Sequence, residues 1–179
     1  MRVVAGKYRG KKLKEFELSS TRPTLDRVKE AIFSVIQFDI LNSVVLDLFS
    51  GTGALGIEAI SRGAKKVYFI DKEKSAIKII NENLKNINED FEVVNKDYML
   101  FLQNNTHLKF DIVLLDPPFA SDMGELAINF LIENDMINKN GIIVFEKSID
   151  KKYEKIFENY EIKIKKYGTV EVLFIKNIK

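Results

Sequence analysis

The sequence predicts a doubly wound α/β domain built on a mainly parallel, seven-stranded sheet. Short apolar runs such as 66–71 show no polar alternation, which is typical of strands buried on both faces of a sheet. Stretches whose apolar residues have helical spacing separate these runs. A glycine-rich turn, 50–56, follows the first run and opens the next helical stretch, as it does in folds that wind twice around a parallel sheet.

The first predicted element is a helix that follows the N-terminal twenty residues. Pro23 and Thr24 suit its start, and Asp26 lies in its first turn. Its apolar residues form one stripe, namely Leu25, Val28, Ile32, Val35 and Ile36. The alternation that follows predicts strands at 43–49, 66–71, 91–97, 110–116 and 141–146, with helices at 54–62, 73–85, 98–105 and 124–135.

Both ends of the chain depart from this alternation. Residues 160–177 alternate apolar and charged side chains on either side of a Tyr-Gly-Thr turn, which predicts an antiparallel hairpin with one solvated face. Residues 2–18 combine glycine and charge in the pattern of a small β-hairpin or extended arm, outside the wound core. We therefore expect a basic N-terminal arm or β-hairpin at 1–20 and the wound domain at 21–179.

Composition narrows the function classes. The chain has 179 residues, 46% of them apolar, which is enough for one substantial core. It has no cysteine, so disulfides, thiolate metal sites and cysteine nucleophiles are excluded. No apolar run approaches the roughly 18 residues that span a bilayer, and the charged start is unlike a signal peptide. We expect a cytoplasmic protein with no membrane partner and no metal.

Charge is divided unevenly along the chain. Residues 1–30 hold nine lysines and arginines against four acids, whereas the remaining residues hold 19 basic and 22 acidic side chains. A basic front segment favours a nucleic-acid partner, and a solvated lysine-rich face is the alternative. The residues expected to contact a nucleic acid are Arg2, Lys7, Arg9, Lys11, Lys12, Arg22 and Arg27. Arg22 and Arg27 could instead reach a cofactor carboxylate, and Arg27 could pair with Glu30.

The turn DLFSGTGALG, residues 47–56, matches a nucleotide-binding pattern. Gly51, Gly53 and Gly56 have the spacing G-x-G-x-x-G, which lets the backbone turn tightly and approach a ligand in front of a helix N-terminus. Asp71 ends the next strand, where an acid can accept both ribose hydroxyls of an adenosine. A nicotinamide dinucleotide and S-adenosylmethionine both carry that ribose.

Two further acids bear on the choice of ligand. A carboxylate at Asp47, beside the loop, would repel a pyrophosphate but can bind an α-amino group, so it favours the amino-acid end of S-adenosylmethionine. The alternative role of Asp47 is to tie down the loop. Asp97, at the end of the third strand, could accept from the adenine amino group, cap the following helix, or do both.

The fourth predicted strand ends in FDIVLLDPPF, residues 110–119. Its two consecutive prolines stop the strand and offer carbonyl oxygens but no N–H donors. The Asp116 carboxylate and the Pro117 carbonyl then form a pair of acceptors with the Phe119 ring nearby. This set matches the exocyclic amine and the π face of a nucleobase, and such acceptors would promote attack of the amine on a methyl sulfonium. The alternative is a strand-ending turn with Phe119 in the core.

Taken together, these motifs resemble a known family. DLFSGTGALG, the acids at 71 and 97, and DPPF look like a class I S-adenosylmethionine-dependent amino-methyltransferase with a Rossmann-like fold. With RVVAGKYRGKKL, TRPTLDRVKEAIF and GALGIEAISRGA, the chain is similar to RsmD, a bacterial family of 16S rRNA guanine-N2 methyltransferases. The resemblance implies methylation of one guanine of 16S rRNA, either naked or within a small-subunit ribosomal particle. It also implies that Asp47, Ser50, Gly51, Gly53, Asp71 and Asp97 bind the cofactor and that Asp116, Pro117 and Phe119 form the target site.

Three other functions remain open on the sequence alone. An adenine-N6 DNA methyltransferase would use the same acidic residues, but the chain length leaves no obvious room for a target-recognition domain. An NAD-binding oxidoreductase gives no reason for Asp47 or for DPPF. A non-catalytic RNA-binding assembly factor would not need the cofactor loop.

Overall fold

The predicted α/β domain is confirmed by a computed structural model, which describes residues 1–17 and 23–179. Its elements in chain order are α1 Pro23–Val35, β1 Val44–Asp47, α2 Ala54–Ser61, β2 Lys66–Asp71, α3 Lys74–Asn83, β3 Asp90–Asn95, α4 Tyr98–Asn104, β4 Phe110–Leu115, α5 Met123–Glu133, β5 Ile137–Ser148, β6 Tyr160–Tyr167 and β7 Val170–Asn177. Within the described ranges, no helix is both long and apolar enough to cross a membrane.

The seven strands form one sheet in the order β3-β2-β1-β4-β5-β7-β6. Strands β1 to β5 are parallel, and β7 pairs antiparallel with both β5 and β6. The predicted C-terminal hairpin is therefore correct, although its second strand enters the sheet beside β5 and leaves β6 at the edge. The strand order reverses between β1 and β4, and the carboxyl ends of the strands at such a point form the ligand crevice of a doubly wound sheet.

Successive residues of the parallel strands pack into two apolar layers. Val45 of β1 belongs to the layer that contains α1, α2 and α3, whereas Leu46 belongs to the layer of α4 and α5. Both side chains are fully buried. The absence of polar alternation in these strands therefore reflects burial on both faces of the sheet.

The N-terminal arm folds back on itself and packs against the helices on one face of the sheet. Arg2 and Lys12 form an antiparallel bridge, and Val3 and Leu13 are buried in the same apolar layer as α1. The buried carboxylate of Glu58 in α2 accepts two successive backbone N–H groups of the arm, at 2.9 and 3.1 Å. The arm, which the sequence placed outside the wound core, thus contributes side chains to that core. The boundary predicted at residue 20 lies outside the described residues and stays a prediction.

Candidate active site

A crevice of about 550 Å³ opens at the carboxyl edge of the parallel strands. Its walls include residues from the segments that follow β1, β2, β3 and β4. Five of the residues predicted for the site line this one cavity, namely Gly51, Asp71, Asp97, Asp116 and Pro117. The topology explains their proximity, because parallel strands bring their carboxyl ends to the same edge of a sheet.

The loop between β1 and α2 is held in a tight turn by its own hydrogen bonds. The Ser50 hydroxyl donates to the Asp47 carbonyl at 2.6 Å, and the Gly53 N–H donates to the Ser50 carbonyl at 2.8 Å. Gly51 and Gly53 have φ values of 56° and 81°, which other residues rarely adopt. At Gly56 a Cβ would come within 2.3 Å of an aromatic ring of β2. The glycine pattern therefore follows from the backbone angles and close packing of this turn.

The Asp71 carboxylate joins two segments of the crevice wall. Its Oδ2 accepts the Gly51 N–H and its Oδ1 accepts the Glu73 N–H, each at 2.9 Å. These bonds fix the carboxylate at the end of β2, and each oxygen keeps a lone pair for a ligand. The predicted contact with ribose hydroxyls is compatible with this geometry and stays a prediction.

Asp97 caps α4, which is one of the roles expected from the sequence. Its Oδ1 accepts the N–H groups of Met99 and Leu100 at 2.9 and 3.2 Å. Its Oδ2 accepts no hydrogen bond from the described residues, and Asp97 lines the crevice. The cap therefore leaves one oxygen for the predicted contact with an adenine amino group, which stays a prediction.

Asp47 lies behind the loop and does not line the crevice. It is 1% exposed, and its Oδ2 accepts the Gly56 N–H at 3.0 Å. Burial raises the pKa of Asp47 to about 7, and the charges of Asp116 and Asp71 add to the shift. The loop-tying role of Asp47 is therefore present in the structure, while its contact with an amino group stays a prediction.

Asp116 and Pro117 follow β4 with unused acceptor atoms. Neither the Asp116 carboxylate nor the Pro117 carbonyl accepts a hydrogen bond from the described residues. One side of Asp116 is exposed to the crevice, and protein surrounds its carboxyl group on the other sides. This partial removal from water raises the pKa of Asp116. Phe119 is 48% exposed and does not line the crevice, so its ring lies outside the core.

One acid at this edge, Glu146, has no role predicted from the sequence. It lies near the end of β5, is 7% exposed, and lines a second cavity of about 250 Å³ together with Asp116. Burial and the charges of Asp116 and Asp47 raise the pKa of Glu146 well above its usual range. The signal that identifies it is positional, because Glu146 ends the predicted strand that follows the DPPF strand.

The basic residues predicted to contact RNA fall into two groups. Lys7 pairs with Glu89 at 2.7 Å, and the Lys11 ammonium donates to the Lys85 carbonyl at 3.0 Å. The second group comprises exposed residues whose side chains form no hydrogen bond or ion pair with described residues, namely Arg2, Arg9, Lys12 and Arg27. Arg22 lies outside the described residues, and RNA binding by the whole group stays a prediction.

Comparison with known proteins places the chain in a family. The family model described as conserved hypothetical protein 95 matches residues 1–176. A Haemophilus influenzae relative named ribosomal RNA small subunit methyltransferase D is 41% identical over 157 residues, which cover 84% of this chain and 80% of the relative. The Escherichia coli K12 protein of that name is 32% identical over 162 residues, which cover 90% of this chain and 82% of the relative.

A solved structure matches nearly the whole chain. A crystallised Haemophilus influenzae protein named as a methylase is 37% identical, with a TM-score of 0.84, and the match covers 99% of this chain and 98% of that one. The expected class I methyltransferase fold and the expected cofactor, S-adenosylmethionine, are both confirmed for this family. The matched residues include the arm, the glycine-rich loop and DPPF, which carried the resemblance. The chain therefore belongs to the RsmD family of S-adenosylmethionine-dependent methyltransferases.

Proposed function

We propose that this protein methylates the exocyclic 2-amino group of a guanine in 16S ribosomal RNA. The observation that carries the proposal is the pair of unused acceptors, the Asp116 carboxylate and the Pro117 carbonyl, in the crevice wall. An exocyclic amine brings two N–H donors, which match two acceptors. The relatives named ribosomal RNA small subunit methyltransferase D support small-subunit ribosomal RNA as the substrate class.

The crevice wall formed by the ends of β2 and β3 suits the adenosine of S-adenosylmethionine. Asp71 would accept the ribose hydroxyls, and the free Oδ2 of Asp97 would accept the adenine amino group. The loop backbone at 50–53 would lie against the amino-acid end, whose α-amino group would reach Asp47, behind the loop, through water. A pyrophosphate against this loop would meet the Asp116 carboxylate in the crevice wall, so a dinucleotide fits poorly.

Asp116 and Pro117 would orient the amine for direct transfer. S-adenosylmethionine supplies a methyl group on a sulfonium sulfur, which keeps the bonding electrons when the carbon–sulfur bond breaks. The Asp116 carboxylate accepts a hydrogen bond from one amine N–H and the Pro117 carbonyl accepts one from the other, so the nitrogen lone pair is directed at the methyl carbon as the new bond forms. The Asp116 charge stabilises the positive charge that develops on nitrogen, and the raised pKa of this carboxylate lets it take the proton that nitrogen then loses.

The exposed groups around the site suit a nucleic-acid substrate. The Phe119 ring offers an open face for stacking on the base. Arg2, Arg9 and Lys12 offer charges that are not committed to described protein partners and can neutralise phosphates. These residues would hold the RNA while the carboxyl edge of the sheet holds the target base.

The test is methyl transfer measured on four substrates in parallel. Labelled S-adenosylmethionine is supplied with naked 16S RNA, small-subunit particles, transfer RNA and DNA, and the methylated nucleoside is identified. We expect N2-methylguanosine in 16S RNA, in naked RNA, in particles or in both. N6-methyladenine in DNA would establish the alternative enzyme, and RNA binding without transfer to any substrate would support an assembly factor.

A further inference from the structure

Two neighbouring carboxylates at the active site have no hydrogen-bonding partner among the described residues, those of Asp116 and Glu146. Leu115 of β4 pairs with Phe145 of the adjacent strand β5, so the next residues, Asp116 and Glu146, lie side by side. Glu146 is 7% exposed, and a buried carboxylate that accepts no hydrogen bond is costly. A ligand that brings N–H donors would remove this cost.

The second cavity is the place where such a ligand would bind. It shares Phe49, Gly51 and Asp116 with the larger crevice, and only the larger crevice is lined by Asp71 and Asp97. A methyl donor and its acceptor must come into direct contact, so their binding sites must adjoin. The smaller cavity adjoins the larger crevice and therefore suits the acceptor base. This step rests on the proposed function.

We propose that Glu146 is a specificity-determining residue that accepts a hydrogen bond from the N1–H of the target guanine while Asp116 holds the adjacent 2-amino group. Guanine presents its N1–H and its 2-amino group side by side, so both groups that face the two carboxylates are hydrogen-bond donors. Adenine and cytosine carry their amine beside a ring nitrogen with a lone pair, which would face the Glu146 carboxylate. The pair of carboxylates therefore selects guanine and rejects the other two amine-bearing bases.

The described neighbours of Glu146 do not satisfy its carboxylate. The ammonium group of Lys29, which lines the same cavity, donates to the Arg2 carbonyl at 2.6 Å and pairs with Glu58 at 3.4 Å. Among residues 1–17 and 23–179, no group of three or more acids or histidines is arranged to hold a metal ion. The charges of Asp116 and Asp47 oppose ionisation of Glu146, and an N1–H donor would favour the ionised form.

The test replaces the target guanine of the substrate with 2-aminopurine. The guanine that the parent enzyme methylates is mapped, and RNA with 2-aminopurine at that position is compared with the guanine RNA in single-turnover transfer. 2-Aminopurine keeps the amine but has a lone pair at N1. We expect the parent enzyme to be at least about 100-fold slower on 2-aminopurine, as for sites that hydrogen-bond a group the analogue lacks.

The variant Glu146→Gln sharpens the comparison, because its amide can donate to the N1 lone pair of 2-aminopurine. We expect its preference for guanine to fall below about 10-fold, whereas Glu161→Gln, at an exposed acid of β6, keeps the parent preference. Equal parent rates on both bases would overturn the role of Glu146 and leave guanine methylation standing. A parent enzyme that methylates no guanine would instead overturn the proposed function, and this inference with it.

Discussion

The carboxylates along the active-site edge differ in the partners that hold them. At the ends of β1, β2 and β3, Asp47, Asp71 and Asp97 each accept at least one backbone N–H. At the ends of β4 and β5, Asp116 and Glu146 accept none from the described residues. We infer that the first group is positioned before any ligand binds, whereas the second group is completed by the donors of the substrate. Cofactor binding and substrate recognition are thus assigned to different strands.

The largest effect should come from the acceptor side of this edge. Asp116→Ala removes the charge that stabilises the developing positive nitrogen. We therefore expect the activation free energy of single-turnover transfer, at saturating cofactor and RNA, to rise by about 3 kcal/mol or more, which slows the reaction. Asp116→Asn keeps a neutral acceptor and should lose less. Asp122→Ala, an exposed acid of the same loop, is the control. A normal rate for Asp116→Ala would mean that DPPF only ends a strand.

The next effect concerns the cofactor side. Asp71→Ala removes charged acceptors for two ribose hydroxyls, and it also frees the N–H groups of Gly51 and Glu73. We expect calorimetry to show S-adenosylmethionine binding weakened by about 2–3 kcal/mol. Asp90→Ala, an exposed acid at the opposite end of β3, should bind normally. Unchanged affinity of Asp71→Ala would remove this residue from the cofactor site.

The raised pKa of Asp47 predicts a pH-dependent stability. The folded-state pKa of Asp47, about 7, exceeds the ordinary aspartate pKa of 3.8, so between these pH values the folded protein binds a proton that the unfolded chain lacks. The free energy of unfolding therefore falls as pH rises from about 4 to about 7. Asp47→Asn removes this loss and should unfold in urea at pH 8 with on the order of 2 kcal/mol more stability than the parent.

The control for this prediction is the same pair of proteins at pH 5. There Asp47 is protonated in the folded state, so the gap in stability between parent and Asp47→Asn should shrink. An equal gap at both pH values would show that the substitution acts through packing or through the Gly56 hydrogen bond. Weaker S-adenosylmethionine binding by the more stable variant would support the predicted contact with the α-amino group.

The smallest effect per residue is expected at the N-terminal arm. Deleting the arm would expose the core around Val3 and Leu13, so substitution of its exposed basic residues is the cleaner change. The triple substitution of Arg2, Arg9 and Lys12 to Gln should weaken RNA binding and flatten its logarithmic salt dependence by up to about 3, with cofactor affinity unchanged. Lys65, Lys139 and Lys163, three exposed lysines that line neither cavity, serve as the matched control. An unchanged salt slope would return the arm to a solvated surface.

Features of the fold and site that depend on local sequence pattern could be predicted from the sequence alone. Apolar runs without alternation identified the parallel strands. Acids at the ends of those strands identified Asp71, Asp97 and Asp116 as crevice residues, because parallel topology brings such positions together. The glycine pattern also has a local cause in the positive φ angles of Gly51 and Gly53.

Features that depend on distant pairing could not be predicted from the same patterns. The insertion of β7 beside β5 is set by packing of the whole sheet, and the contact of the arm with Glu58 joins residues more than fifty positions apart. Glu146 becomes significant only through the register of β4 against β5 and through the lack of a donor near it. Asp97 illustrates an intermediate case, since its helix-capping contact is local and its place in the crevice is not.

The division of the edge into a cofactor side and an acceptor side is tested most directly by one measurement. Single-turnover methyl transfer to saturating 16S RNA substrate is followed as a function of S-adenosylmethionine concentration for the parent, Asp71→Ala and Asp116→Ala. We expect Asp71→Ala to raise the half-saturating concentration by at least about 30-fold, and Asp116→Ala to lower the plateau rate by at least about 100-fold at an unchanged half-saturating concentration. If both variants change the same parameter, the two sides of the edge do not have separate roles and the account is wrong.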